Sequence, residues 1–209
     1  MLRIKNTINK KIEMKQILFF YLHQYMESNM TITEKKQYRK RVANFKKQQE
    51  KYLLTSRFNN ETAEENKRFR SSHEKLGCIY CAPNKITEAI PCNKIMFVLE
   101  MNNDANEIIG IGMLRNHSYI QRHNVYDHNN YNRYIYMGKH RIDRKDMAQE
   151  ELTIMKIFDR LCFKGNHHVK RGQGLKQFPS KMLYNCLSKI NLLEFVNNMF
   201  KKRITQKEN

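Results

Sequence analysis

Residues 95–114 read IMFVLEMNNDANEIIGIGML and contain two apolar runs separated by a short polar segment. The runs 95–101 and 107–114 have the length and apolar composition of β-strands. The segment between them, NNDAN, consists mostly of residues that tolerate turn geometry, so the whole predicts a β-hairpin. Gly110 and Gly112 lie on the same face of the second strand, which predicts a bulge or the close approach of another backbone there.

The sequence that follows the hairpin predicts further strands and helices of the same body. Residues 131–137 (YNRYIYM) alternate in a way typical of a strand, and residues 147–163 have the periodicity of an amphipathic helix. A glycine-rich basic loop covers residues 165–174, and Pro179 falls near the first turn of a helix predicted over residues 180–200. The fold class is therefore α+β, with a small, mainly antiparallel sheet and flanking helices.

The N-terminal part of the chain predicts a basic helical region. Residues 9–28 and 33–54 have helical periodicity, and a short third helix is predicted after Asn60. The outward faces of the second helix carry a series of basic residues, among them Lys36, Arg39 and Lys40. We therefore divide the chain into a basic N-terminal helical region, residues 1–75, and an α+β body, residues 76–209.

The charge of the chain indicates a polyanionic partner. Its 209 residues include 39 Lys and Arg against 20 Asp and Glu, a formal net charge of +19. Residues 1–75 hold 18 basic and 8 acidic residues, and residues 76–209 hold 21 and 12. Because like charges repel within a fold, such an excess favours a nucleic-acid partner, whose phosphates release counterions when they are neutralised. The alternative is a solubilising surface, or lysine enrichment from an A+T-rich coding sequence.

Cysteine content and hydropathy indicate an intracellular protein. The five cysteines are an odd number without the spacing of a disulfide framework, which favours a reducing compartment. No run approaches the roughly 18 apolar residues of a membrane span. The best one, residues 17–22, lacks the cleavage site of a secretory signal. We therefore expect no membrane association.

Three cysteines form the candidate metal site. Cys78 and Cys81 have the two-residue spacer with which two thiolates bind one zinc ion, and Cys92 follows eleven residues later. A histidine would have to supply the fourth ligand, because the chain has no second CxxC pair. The pattern is compatible with a structural zinc site, and we predict no other cofactor.

The run 131–144, YNRYIYMGKHRIDR, combines tyrosines with cations and is a candidate nucleic-acid site. On a strand, Tyr134 and Tyr136 share a face. Aromatic rings beside cations suit bases that are stacked on a protein or splayed out of a strand. The basic residues assigned to this site are Arg133, Lys139, Arg141 and Arg144. The alternative is a tyrosine-rich sheet surface that the N-terminal helices cover.

The loop at residues 165–174, GNHHVKRGQG, is a candidate anion site, because glycine frees backbone amides and a helix follows. The groups assigned to it are the side chains of His167, His168, Lys170 and Arg171 and the backbone at Gly172 and Gly174. The loop resembles the pyrophosphate loop of GCN5-related N-acetyltransferases, Arg/Gln-x-x-Gly-x-Gly/Ala, at its last two glycines, with Val169 in place of Arg or Gln. That resemblance implies coenzyme A binding, and the alternative is a basic surface loop.

Four segments in order, CIYC, FVLEMNNDANEIIGIGMLRN, YNRYIYMGKHRIDR and GNHHVKRGQGL, resemble uncharacterised proteins of large double-stranded DNA viruses of protists and algae. The hairpin with its Ile-Ile-Gly-Ile-Gly strand is also similar to the PUA-like superfamily, which includes PUA, ASCH, EVE and YTH domains. That resemblance implies a small, partly open β-barrel that binds RNA or modified bases. YTH-type readers hold a methylated base with tryptophans, and this chain has none.

Together these observations predict a nucleic-acid-binding protein that prefers RNA to DNA and requires no catalytic step. The basic helices and the loop at 165–174 would contact phosphates, while the tyrosine strand would stack bases. Two other classes stay open: an acyl-CoA-dependent N-acetyltransferase, and a virion structural or DNA-packaging protein. The viral resemblance implies the host cytoplasm, a viral factory or the virion itself as the setting. Removal of residues 1–75 is predicted to leave the body folded.

Overall fold

A computed structural model describes residues 30–119, 123–165 and 168–208. The chain forms two compact units. The first, here called the helical unit, comprises Met1–Gln49 and Pro179–Leu192. The second, the sheet unit, comprises Glu50–Phe178 and Leu193–Asn209. The helix predicted over residues 9–28 lies outside the described residues.

In its described part, the helical unit contains α1 (Ile32–Lys47) and the short α4 (Ser180–Cys186). Thr31 begins α1 with a reciprocal cap, because its side chain accepts from the amide of Glu34 while the Glu34 carboxylate accepts from the amide of Thr31. The buried Tyr38 on α1 donates a hydrogen bond to Oδ1 of Asn185 (2.6 Å). This unit is therefore joined by packing between segments that are far apart in sequence.

The described part of the sheet unit contains a five-stranded sheet and a separate strand pair. The strands are β1 (Lys51–Phe58), β2 (Cys78–Ala82), β3 (Ile95–Asn102), β4 (Glu107–Arg115), β5 (Tyr134–Gly138), β6 (His140–Asp143) and β7 (Lys176–Gln177). The order in the larger sheet is β6-β4-β3-β1-β7, and β2 pairs with β5. Only β1 and β3 pair in parallel among these strands. The predicted α+β class with a mainly antiparallel sheet is confirmed, and the larger sheet is open rather than closed into a barrel.

Helices α2 (Asn60–Ser71), α3 (Gln149–Phe163) and α5 (Leu192–Glu208, from residue 193 onward) belong to the same unit. The strand pair shares a buried apolar cluster with one face of the larger sheet. On the opposite face of that sheet, Phe97 stacks on Phe200 of α5 with a centroid distance of 5.3 Å. No helix in the described ranges is long and apolar enough to cross a membrane.

The hairpin predicted from residues 95–114 is confirmed, since β3 and β4 pair in antiparallel register across a tight turn. The predicted bulge is present, because the register shifts between Glu100 and Met101, opposite Gly110. The strand predicted at residues 131–137 begins only at Tyr134, since a 3₁₀ turn covers the residues before it. The predicted helix at 147–163 corresponds to α3. The one predicted over 180–200 is divided into α4 and α5.

The N-terminal part differs most from its prediction. The helix predicted over residues 33–54 ends at Lys47, and the chain then forms β1, which lies inside the larger sheet between β3 and β7. Residues 52–56 of β1 are all buried, so this strand lacks the alternation that distinguishes strands from helices in sequence. The two units therefore do not coincide with the predicted division into residues 1–75 and 76–209.

Candidate functional site

A buried charged cluster joins the two sheets at the centre of the sheet unit. Glu100 of β3 accepts hydrogen bonds from Nε of Arg141 (3.0 Å) and from the hydroxyl of Tyr80 (2.7 Å). Arg141 of β6 also donates from its second terminal nitrogen to Glu100 (2.7 Å) and from the first to Asp143 (2.9 Å). The side chains of Glu100 and Arg141 are only 3% and 9% exposed. Two carboxylates thus compensate the charge of Arg141, and the cluster stabilises the contact between the sheets.

The two glycines of the Ile-Ile-Gly-Ile-Gly strand provide the space for this cluster. A Cβ at Gly110 would lie 2.7 Å from Oε2 of Glu100 and against the Arg141 guanidinium. A Cβ at Gly112 would occupy the position of the Tyr80 hydroxyl. The close approach predicted at these glycines is therefore real, but buried polar side chains rather than another backbone make it. Glu100 interrupts an otherwise apolar strand, and that interruption was the available sequence signal for the cluster.

Ionisation of the cluster follows from its surroundings. Burial lowers the pKa of Arg141 by itself, but the adjacent Glu100 carboxylate outweighs this effect and raises the pKa overall. Burial, and then the charge of Glu100, raises the pKa of Tyr80 well above its ordinary value. Arg141 therefore stays a cation and Tyr80 a neutral hydrogen-bond donor. With three nitrogens bonded to carboxylates, Arg141 is not available as the free phosphate ligand that the sequence predicted.

Arg144 also makes contacts within the fold instead of the nucleic-acid contacts that the sequence predicted. Its terminal nitrogens donate to Asp159 of α3 (2.8 Å) and to the carbonyl of Ile108 (2.8 Å). Asp159 in turn accepts a hydrogen bond from the amide of Ile108 (2.7 Å). Arg144 thus ties α3 to β4 and is not a free cation.

The tyrosine strand is only partly exposed. Tyr136 is 1% exposed, and its hydroxyl accepts a hydrogen bond from the amide of Ile86 (3.0 Å), so its ring cannot stack on a base in this structure. Tyr134, in contrast, is 36% exposed, and Arg133 before it is exposed. Of the two tyrosine rings that the sequence predicted to stack bases, only that of Tyr134 is exposed. Tyr136 is buried because β5 pairs with β2 and its ring belongs to the apolar cluster shared with the larger sheet, a tertiary contact that alternation does not reveal.

A basic cavity of about 550 Å³ opens on the sheet unit, between the α2–β2 connection, the β5–β6 turn and α5. Four cations in its wall form no ion pair among the described residues: Arg70, Lys75, Lys139 and Lys145. Two wall acids, Glu74 and Asp146, form no ion pair with a described cation. Of the site residues predicted from the sequence, Lys139 faces this cavity as a free cation. Sequence analysis did not single out Lys75 and Lys145, because they lie in separate segments that carry no motif.

The glycine-rich loop is described at Gly165 and from His168 onward, and His167 lies outside the described residues. Lys170 donates to Oδ1 of Asn106 (2.7 Å), a neutral partner, and Arg171 is exposed. Gly172 and Gly174 have φ of +112° and +65°, which favours glycine. Arg57, which no sequence pattern singled out, donates from its Nε to the carbonyl of Val169 in this loop (2.8 Å). Burial lowers the pKa of Arg57.

The remaining predicted residues lie in two places. Lys36, Arg39 and Lys40 are exposed on α1 of the helical unit, as the sequence predicted for a basic helix. Cys78 and Cys81 are buried and lie three apart on β2, so they point to opposite faces of the strand, and Cys92 is exposed. Residues of the described ranges contain no group of three or more His, Cys, Asp or Glu that could hold a metal ion. The zinc hypothesis stays a prediction that this strand geometry does not favour.

Comparison with protein-family models, curated proteins and solved structures finds no match to this chain. The charged cavity and the loop geometry are therefore the basis for a functional proposal.

Proposed function

We propose that this protein binds single-stranded nucleic acid, RNA in preference to DNA, with phosphates contacting the basic cavity of the sheet unit. The observation that carries this proposal is the group of unpaired cations in the cavity wall. Three other arginines of the unit are paired with carboxylates: Arg141 with Glu100, Arg144 with Asp159 and Arg203 with Glu151. Cations left without such partners on a concave surface attract phosphates.

The pairing of the arginines in the cavity wall supports the same proposal. Arg141 and Arg203 also line the cavity, but each is held by a carboxylate at 2.6–2.7 Å. These two side chains are paired within the wall, so its lysine side chains are the cations that can contact a phosphate backbone. Flexible lysines act as point charges toward phosphate, which suits contacts without sequence preference.

Replacing Lys75, Lys139 and Lys145 together with Ala is expected to weaken RNA binding and to flatten its salt dependence. Each neutralised phosphate contributes about −0.7 to the log–log slope for a single strand, so three lost contacts reduce the slope by about 2. Fluorescence anisotropy with a labelled single-stranded RNA at several salt concentrations measures this slope. Single-stranded DNA and duplex DNA of the same sequence are measured in parallel.

The matched control replaces three exposed lysines outside the cavity wall, Lys85, Lys164 and Lys176, with Ala. This variant has the same net charge as the cavity variant. If both variants lose the same affinity and slope, the effect is due to net charge and the cavity is not the binding site. If the unmodified protein binds duplex DNA as tightly as single-stranded RNA, the result favours a DNA-packaging protein instead.

Tyr134 tests base stacking separately from phosphate contacts. If a base stacks on its exposed ring, Tyr134→Ala is expected to cost about 1–3 kcal/mol of binding free energy with little change in the salt slope. Tyr134→Phe keeps the ring and serves as the control, which should bind like the unmodified chain. Loss of affinity in Tyr134→Phe equal to that in Tyr134→Ala would contradict stacking.

A further inference from the structure

Arg57 lies near the carboxyl end of β1, at the side of the larger sheet where its two parallel strands end. β1 and β3 run side by side, with Phe58 opposite Asn102 at their carboxyl ends. The segment after α3 crosses this edge, since Arg57 donates to the carbonyl of Val169 and Nδ2 of Asn103 donates to the carbonyl of Lys170 (3.3 Å). The carboxyl ends of parallel strands are a common place for ligands in open sheets.

Arg57 is a shielded cation without a counterion in the described part of the chain. Its NH1 atom is hidden from solvent and has no hydrogen-bond partner there, and no carboxylate pairs with its guanidinium. Arg141, Arg144 and Arg203 each contact a carboxylate within 2.8 Å, and Arg57 differs from these three arginines. A partly buried charge without a counterion is costly, and an anion bound beside Arg57 would compensate it.

Two further polar atoms beside the same segment have no partner among the described residues. Oδ1 of Asn103 and Nδ1 of His168 are both shielded from solvent. Asn103 is held in place because its amide donates to the carbonyl of Phe58 (2.8 Å) at the end of β1. A hydrogen phosphate could donate its proton to Asn103, and an imidazole can donate to a phosphate oxygen. The unmatched atoms therefore include both donors and acceptors.

The segment over Arg57 is suited to the close approach of a small anion. A Cβ at Gly172 would lie 3.8 Å from the guanidinium carbon of Arg57, so the glycine backbone lies beside the guanidinium. Lys170 and Arg171 carry further positive charge without a carboxylate partner in the described ranges. The acid adjacent to Asn103 in sequence is Asp104, whose carboxylate accepts a hydrogen bond from the amide of Asn60 (2.9 Å).

We propose that Arg57, the side chain of His168 and the backbone of residues 170–172 form a phosphate-binding site at the carboxyl edge of β1 and β3, separate from the basic cavity. The amides of His168 and Val169 already donate to backbone carbonyls and are not part of this site. The phosphate can belong to a free phosphorylated small molecule or to the nucleic-acid backbone, because both present the same oxyanion. A guanidinium fork and backbone amides are groups that bind phosphate oxygens.

The test is calorimetric titration of the full chain with inorganic phosphate, with chloride balancing the ionic strength. We expect saturable binding, a thermal unfolding midpoint that rises with phosphate but not with chloride, and at least tenfold weaker binding in Arg57→Gln. Arg57→Lys keeps the charge but not the fork and should be intermediate. No phosphate effect on the unmodified chain overturns the proposal, as does unchanged phosphate binding in Arg57→Gln.

Two controls distinguish phosphate binding at Arg57 from a purely structural role of this residue and from binding in the cavity. Without phosphate, Arg57→Met should unfold at the same temperature or higher, because it removes an uncompensated cation; a large drop would mean that Arg57 is structural. The triple cavity variant should bind phosphate normally, which distinguishes failure here from failure of the cavity proposal. If Arg57→Gln also weakens RNA binding, the phosphate belongs to the nucleic acid; unchanged RNA affinity assigns it to a small molecule.

Discussion

A chain that begins at residue 76 is expected not to fold. The deletion removes β1, which pairs along its whole length with β3, from Lys51 opposite Ile95 to Phe58 opposite Asn102. This strand alone contributes four core residues: Tyr52, Leu53, Leu54 and Phe58. At about 1.5–3 kcal/mol for each buried side chain, their loss is comparable with the roughly 5–15 kcal/mol by which a typical domain is stable.

Circular dichroism and urea denaturation measure this outcome. The truncated chain should show no cooperative unfolding transition, whereas Leu54→Ala in the full chain should unfold cooperatively with a free energy lowered by about 2–5 kcal/mol. A cooperative transition in the truncated chain would restore the division at residue 76 that the sequence predicted. The expectation of a non-folding fragment rests on the grouping of residues 50–75 with the rest of the sheet unit.

Replacing Glu100 with Gln is expected to lower the free energy of unfolding by about 3–5 kcal/mol, because it leaves the buried Arg141 without its main counterion. The substitution keeps the volume of the side chain and an acceptor for the Tyr80 hydroxyl. The measured loss is therefore mainly electrostatic. Urea denaturation at fixed pH should show a lower midpoint with an unchanged slope.

Two variants make this result specific. In Glu100→Gln with Arg141→Gln, the buried charges are both absent, so the double variant should cost less than the sum of the two single ones. The control is Lys67→Gln on α2, which breaks an ion pair whose two side chains are each 63% exposed and should cost under about 1 kcal/mol. If Glu100→Gln lowers the free energy of unfolding by an equally small amount, the ion pair of Glu100 and Arg141 does not behave as a pair of buried charges.

Local sequence signals predicted those elements whose geometry depends on neighbouring residues. The hairpin of β3 and β4 follows from two apolar runs around a turn-forming segment, and α3 follows from helical periodicity over residues 147–163. The bulge beside Gly110 also had a local signal. The strand β1 had none that separates it from a helix, because residues 52–56 are buried on both faces.

The candidate site was less accessible to sequence reasoning, since the availability of a charge depends on what lies opposite it in space. Arg141 and Arg144 have the same sequence context as Lys139, yet carboxylates from other strands and from α3 neutralise the two arginines and leave the lysine free. Arg57 looked like one cation among many. Its lack of a counterion is visible only once the loop after α3 covers it.

By itself, the amino-acid sequence determined the α+β class, the central hairpin, α3 and the strongly basic character of the chain, because turn chemistry, periodicity and composition are local or additive properties. Tertiary structure alone decided the insertion of β1 between β3 and β7, the burial of Tyr136 and the pairing of each arginine. These outcomes depend on contacts between residues distant in sequence, where the free energy of burying an apolar surface or a charge depends on the partner that the fold places against it.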